Sequence, residues 1–173
     1  NEAVSCHCSN EVDIHVVSSY HTGRMTTRKH KVDIKDIIPR SSEPEKRFVP
    51  NYRELDEIVR SLKKLGHRIV LVQGVFDLIH EGHAAFLEKA KAHGDILIVG
   101  VDSDEMTRMR KGPNRPIVPQ AERIKMLAHL RYVDLLTIRE MQQGLGALIK
   151  LEKPHVFVVS TSTTDFTGKL VRE

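Results

Sequence analysis

RIVLVQGVFDLIHEGHAAFLEKAKA, residues 68–92, is the stretch whose reading decides the fold. Ile69-Val70-Leu71-Val72 is a continuous, largely β-branched apolar run, which suits a strand buried on both faces. Gly74 ends the run, and the chain passes Phe76 and Asp77 to reach His80-Glu81-Gly82-His83. From there Ala84, Ala85, Phe86, Leu87 and Ala90 recur at helical spacing. A buried strand, a glycine-marked turn and a helix opening on two histidines predict an anion-binding site. The reason is physical: the unpaired N–H groups and positive dipole end of a helix start point at whatever lies above the strand.

The pattern continues outward on both sides. Upstream, residues 52–65 (YRELDEIVRSLKKL) put Leu55, Ile58, Val59, Leu62 and Leu65 on one helical stripe, with Gly66 where a C-terminal cap belongs. Downstream, Gly94 closes the central helix and residues 95–101 (DILIVGV) form a second buried strand. Asp102 falls at its carboxyl end, and Ser103 caps a helix through Asp104, Glu105, Met106 and Met109. The loop Lys111-Gly112-Pro113-Asn114-Arg115-Pro116 is basic and rich in breakers. Residues 120–130 read as a helix with Ile124, Met126, Leu127 and Leu130 inward. A third strand at 133–138, a helix at 141–151 and a fourth strand at 155–159 follow. The hydroxyl cluster 161–164 then leads into a short final helix with Asp165 in its first turn.

Strands alternating with helices predict an α/β fold: a parallel sheet covered by helices on both faces. Ligands in such sheets bind beyond the carboxyl ends of the strands. Residues 74–83, Asp102, Lys111 and Arg115 all fall at or after such ends, and their convergence weighs more than any single motif.

Residues 1–48 read differently, as an N-terminal extension before the main domain at 49–173. Segments 11–18 (EVDIHVVS) and 31–38 (KVDIKDII) alternate like two short strands, and a polar linker from Arg40 runs to Pro50. Cys6, His7, Cys8, His15, His21 and His30 are zinc-ligand types, but their spacing does not match the common finger patterns, and no metal site is expected. The 173 residues suffice for one sizeable domain plus this appendage. A net charge of +4, with acidic residues interspersed, favours phosphorylated small molecules over nucleic acid. An aromatic content of 5% leaves few platforms for stacking bases. The sequence shows no run of membrane-spanning length and no signal-peptide pattern, and two closely spaced cysteines cannot staple a fold. The expected compartment is reducing and cytoplasmic, with no membrane partner.

Gly74-Val75-Phe76-Asp77 with His80-Glu81-Gly82-His83 resembles the G-x-F-D and H-x-G-H signature of the cytidylyltransferase-like nucleotidyltransferases. The resemblance extends through Val99-Gly100-Val101-Asp102-Ser103-Asp104, Arg115-Pro116, Arg123, Tyr132-Val133-Asp134 and Ser162-Thr163-Thr164. It implies a Rossmann-like fold. In pattern the chain is most similar to the adenylyltransferases that charge heptose-1-phosphate, which share G-V-F-D, R-P-x-x-P and S-T-T. Glycerol-phosphate and ethanolamine-phosphate cytidylyltransferases are nearly as similar, so the nucleotide stays open between ATP and CTP. One departure stands out: relatives carry a sizeable segment before S-T-T, whereas here Ser160-Thr161 joins the fourth strand to it directly.

The reaction so implied is attack by a substrate phosphate oxygen on the α-phosphorus of a nucleoside triphosphate, releasing pyrophosphate. The nucleophile is already an anion, so positioning and charge stabilisation carry the catalysis. His80, His83 and Lys111 take the catalytic roles. Gly74, Val75, Phe76, Gly82, Arg115, Arg123, Ser162 and Thr163 would hold the nucleotide, and Asp77 and Asp102 would line the substrate side. Magnesium is the implied cofactor, with few protein ligands of its own, and a homodimer is common among relatives.

Ordinary readings compete: loop charges for Lys111 and Arg115, N-cap chemistry for Ser162 and Thr163, a helix start for Asp102, and a solvated face for Arg123. Three rival classes also stand. A metallohydrolase would need histidines four apart, and His80 and His83 are three apart with glycine between them. A catalytically weak nucleotide sensor is raised by the shortened late segment. A nucleic-acid-binding protein is disfavoured by the charge and aromatic content.

Overall fold

The computed structural model describes residues 4–5, 14–18, 44–141 and 146–160. The four strands expected from the main domain are β3 (Ile69–Gly74), β4 (Ile96–Asp102), β5 (Leu135–Arg139) and β6 (Val156–Ser160). They pair in parallel, in the order β6-β3-β4-β5. Two N-terminal strands, β1 (Val4–Ser5) and β2 (Ile14–Ser18), extend the sheet beyond β6, with β2 antiparallel to it. The strand expected at 31–38, the cysteine-histidine group apart from His15, and everything from 161 onward lie outside the described residues.

Among the described residues, five α-helices accompany the sheet: α1 (Tyr52–Lys64), α2 (Glu81–Lys91), α3 (Asp104–Lys111), α4 (Gln120–Ala128) and α5 (Ala147–Glu152). Side chains alternate along a strand, so β3 feeds two cores. Val70 and Val72 join Leu97, Val99 and Leu136 under Phe86 and Leu87 of α2 and Ile124 and Leu127 of α4. Ile69 and Leu71 join Ile96 and Ile98 under Leu55, Val59 and Leu62 of α1 and Leu148 of α5. Burial on both faces is why β3 and β4 read as unbroken apolar runs. No helix among the described residues is long and apolar enough to cross a membrane.

Several expectations are corrected in detail. Leu65 is 60% exposed because α1 ends at Lys64 and Gly66, at φ 86, turns the chain away from the stripe. Met126 is 54% exposed: α4 turns Arg123, Ile124, Leu127 and Ala128 inward, and Met126 sits two residues, about 200°, around from Ile124. Helix α2 ends at Lys91 rather than at Gly94, and α4 ends at Ala128. The third strand starts two residues late, and the helix expected at 141–151 is confined to Ala147–Glu152 among the described residues.

Beneath α1, Glu152 is buried and neither of its carboxylate oxygens has a hydrogen-bond partner among the described residues. Burial, reinforced by Asp56 and opposed by Lys63 and Arg60, pushes its pKa up to about 7. A folded pKa raised above the unfolded value of 4.5 gives a contribution fully present below pH 4.5 and lost as pH rises through 7. Glu152→Gln should remove that decline and leave the chain more stable than its parent at pH 8, by roughly 1–3 kcal/mol in urea unfolding.

Candidate active site

The site grows from the carboxyl end of β3. In the turn that follows, Phe76 and Leu78 hold φ values of 52° and 43°, a left-handed conformation that side chains resist and that surrounding contacts must enforce. The buried Phe76 ring supplies one such contact, lying 5.6 Å from the ring of His83. His80 is the N-cap of α2, and its extended backbone (φ −138°, ψ 176°) lets the side chain fold back over the helix start. Gly82 N–H donates to His80 Nδ1 at 3.1 Å, and His80 N–H donates to His83 Nδ1 at 3.4 Å.

These two bonds fix the chemistry of the rings. Each Nδ1 accepts a hydrogen bond, so in the neutral imidazole the proton is assigned to Nε2. The two rings that carry these Nε2–H donors lie together at the helix start, with centroids 4.1 Å apart. Burial, then His80 and Lys111, lower the pKa of His83, with Asp77 pulling the other way. That shift favours the neutral ring of His83, whose free N–H is then a donor. Gly82 leaves room for this arrangement: a Cβ there would lie 2.9 Å from His80 Cε1 and 3.1 Å from its Nδ1. Gly82→Ala should displace the His80 ring and reduce turnover at least tenfold while leaving the thermal midpoint within a few degrees, checked by rate assays beside thermal melts.

Two basic groups flank the histidines. Lys111 is exposed at the last position of α3, one residue before Gly112 at φ 94°. Arg115 follows in the loop, joined to Pro116 by a cis peptide bond, and its guanidinium meets Asp77 Oδ2 at 2.9 Å while half-exposed. Asp77 also accepts from Ile117 N at 3.0 Å and Val118 N at 2.9 Å. Desolvation raises its pKa, but those amides and Arg115 outweigh it and hold the carboxyl at about 2. Asp77 is therefore an anionic brace between the β3 turn and the 112–119 loop.

The structure brings Gly74, Val75, Phe76, Asp77, His80, Gly82 and His83 together at one strand end, with Lys111 close enough to His83 to act on its charge and Arg115 bound to Asp77. It does not bring Asp102 and Arg123 out to a ligand. Asp102 is wholly buried: Oδ2 lies 2.5 Å from Arg110, and Oδ1 lies 3.3 Å from Arg139, at ion-pair distance without hydrogen-bond geometry. Arg123 is 1% exposed, with its guanidinium on protein acceptors, so the solvated-face reading of this residue is corrected too. Ser162 and Thr163 lie outside the described residues. Arg110 and Arg139, which pair with Asp102, belong to no motif in the sequence. A signal for Arg139 existed, since it stands opposite Asp102 in the parallel register, but that register emerges only with the sheet.

The donors at the site are imidazole N–H, ammonium and guanidinium, and the Asp77 and Asp102 carboxylates are committed to arginines. Among the described residues, no group of three or more His, Cys, Asp and Glu could hold a metal ion. These side chains do not form a magnesium cradle; they suit an anion.

A family model described as cytidylyltransferase-like matches residues 71–173. The chain is similar to the bifunctional protein HldE of a Nitratiruptor species, 42% identical over 128 residues, which are 74% of this chain and 27% of the relative. It is also similar to the bifunctional protein HldE of Desulfatibacillum aliphaticivorans, 41% identical over 104 residues, 60% of this chain and 21% of the relative. The chain thus spans about a quarter of the length of these relatives. One solved structure, a lipopolysaccharide core biosynthesis protein from Thermoplasma volcanium, gives a TM-score of 0.46 at 29% identity, covering 51% of this chain and 70% of that one.

Proposed function

The chain belongs to the cytidylyltransferase-like family, and on that premise we propose that it transfers a nucleoside monophosphate from ATP to the phosphate of a phosphorylated sugar. The observation that carries this reading is the histidine pair at the start of α2, with both Nδ1 atoms accepting backbone bonds, beside Lys111 and the Arg115–Asp77 pair. A phosphate oxygen of the acceptor forms a bond to the α-phosphorus as the bond from that phosphorus to the bridging oxygen breaks, and pyrophosphate leaves. The acceptor phosphate is already anionic, so no side chain needs to remove a proton.

His80 and His83 donate to phosphoryl oxygens, where charge grows in the transition state. The helix start adds its N–H groups and dipole. Lys111 and Arg115 hold the departing pyrophosphate end, with Arg115 exchanging part of its contact with Asp77 for phosphate. Magnesium, where it takes part, is carried by the triphosphate and offsets its charge. The resemblance of the S-T-T stretch assigns Ser162 and Thr163 to nucleotide contact, and a reaction that consumes cellular ATP belongs in the cytoplasm.

The test is pyrophosphate release with ATP and CTP side by side, with magnesium, against heptose-1-phosphate, glycerol-phosphate and ethanolamine-phosphate. Release with ATP and the sugar phosphate is the expected result. Release with CTP and an alcohol phosphate would move the chain to the cytidylyltransferases instead. The direct junction at Ser160-Thr161 favours a second reading, a nucleotide sensor, which binding without release across the whole panel would support. Lys111→Ala should raise the nucleotide KM about tenfold or more with a smaller change in kcat, since an exposed charge on the outer phosphates contributes mainly to binding.

A further inference from the structure

One buried side chain joins the three segments that meet at the candidate site. Arg123 stands in α4, and its side chain is fully buried. Its Nε donates to the carbonyl of Val118 at 2.9 Å, at the end of the loop that carries Arg115. Its Nη1 donates to the carbonyl of Val75, in the turn just before Phe76. Its Nη2 donates to the carbonyl of Asp102 at 3.0 Å and to Asp104 Oδ1 at 2.7 Å, where β4 passes into α3. A guanidinium holds its donors in a rigid plane, so acceptors on separate segments are fixed relative to one another; an ammonium on a flexible stem cannot do this. The Asp77 carboxylate ties the same loop to the same turn from the outside.

We infer that Arg123 is a positioning residue: it sets the Val75–Phe76 turn, and through the Phe76–His83 ring contact the histidine pair, against the segments that present Lys111 and Arg115. This rests on the nucleotidyltransferase reading of those groups. Arg123 acts without touching the nucleotide, since each of its three nitrogens already donates to a protein acceptor and its side chain has no exposed surface. Misplacing a reacting geometry by about 1 Å costs about 100-fold in rate, so a clamp remote from the phosphates can still control turnover.

The experiment uses the whole chain with Arg123→Lys, which keeps the charge and loses the fork. Asp104→Ala is the second variant; it cuts one strut at a partly exposed position and decides the matter if Arg123→Lys does not fold. Three quantities are read: the imidazole 15N signals of His80 and His83 across a pH titration, kcat with the nucleotide KM, and the thermal midpoint. In Arg123→Lys, the His83 titration should move up toward that of a solvent-exposed histidine. Its kcat should fall about 30–100-fold with the nucleotide KM within about threefold. Asp104→Ala should shift both readings the same way, by about three- to tenfold in kcat.

Unchanged histidine signals and kcat, with only a lowered thermal midpoint, would reduce Arg123 to a packing role. A raised nucleotide KM with kcat preserved would make it a nucleotide ligand. Either result overturns the inference. If the parent chain releases no pyrophosphate with any substrate, the proposed function fails, while the histidine signals still decide whether Arg123 sets the pair.

Discussion

His83→Ala is expected to lower kcat by about 10²–10³-fold while the unfolding midpoint barely moves. The asymmetry follows from what the ring does. Its Nδ1 accepts a long 3.4 Å bond from His80 N, a small contribution to the fold, whereas its Nε2–H is left as the donor at the helix start. His80 carries two roles that substitution can separate. Its Nδ1 caps α2 through Gly82 N, so His80→Ala should cost about 1 kcal/mol of stability as well as activity. Asparagine offers a capping oxygen but no Nε2–H. His80→Asn should therefore keep most of the stability and lose as much turnover as His80→Ala. Steady-state pyrophosphate release beside urea unfolding measures both effects. Near-normal rates in His83→Ala and His80→Asn would sink the assignment of the pair.

Asp102→Ala is expected to destabilise the chain by about 3–5 kcal/mol, the largest stability effect among the residues singled out by sequence. The Asp102 carboxylate is wholly buried between Arg110 and Arg139, and Arg139 is itself buried, donating to Gln73 Oε1 at 2.8 Å. Removing the anion leaves the Arg139 guanidinium in a poorly solvated site with its charge uncompensated. The double variant Asp102→Ala/Arg139→Met should recover much of the loss, since it removes both desolvated charges and fills the space with an apolar chain. Urea unfolding of the two single variants and the double variant measures this. Equal destabilisation of the double variant and Asp102→Ala would show that the charge pairing is not the cause.

The elements that sequence could place are those whose determinants lie within a few residues of one another. The apolar run at Ile69–Gly74, the Ser103 cap whose Oγ accepts from Met106 N at 3.1 Å, and Gly66 past the end of α1 are such cases. The same holds for the histidine pair. His80 and His83 act through bonds spanning two and three residues, so their spacing in the sequence already placed them on one helix start. Residues whose meaning depends on distant partners were beyond it. Asp102 and Arg123 stand in the chain as a strand-end carboxylate and a helix arginine, which suit a ligand as readily as a buried pair. Their partners are 8 and 37 residues away for Asp102, and as many as 48 for Arg123. Those separations close only when β3, β4 and β5 take their register and α4 packs against them. The sequence by itself determined the parallel α/β sheet and the strand end and helix start that carry the candidate site, because periodicity and helix capping are local. The tertiary structure alone decided which charges are buried against protein partners and which stay exposed at the candidate site, because a charge takes its role from the partners that folding brings to it.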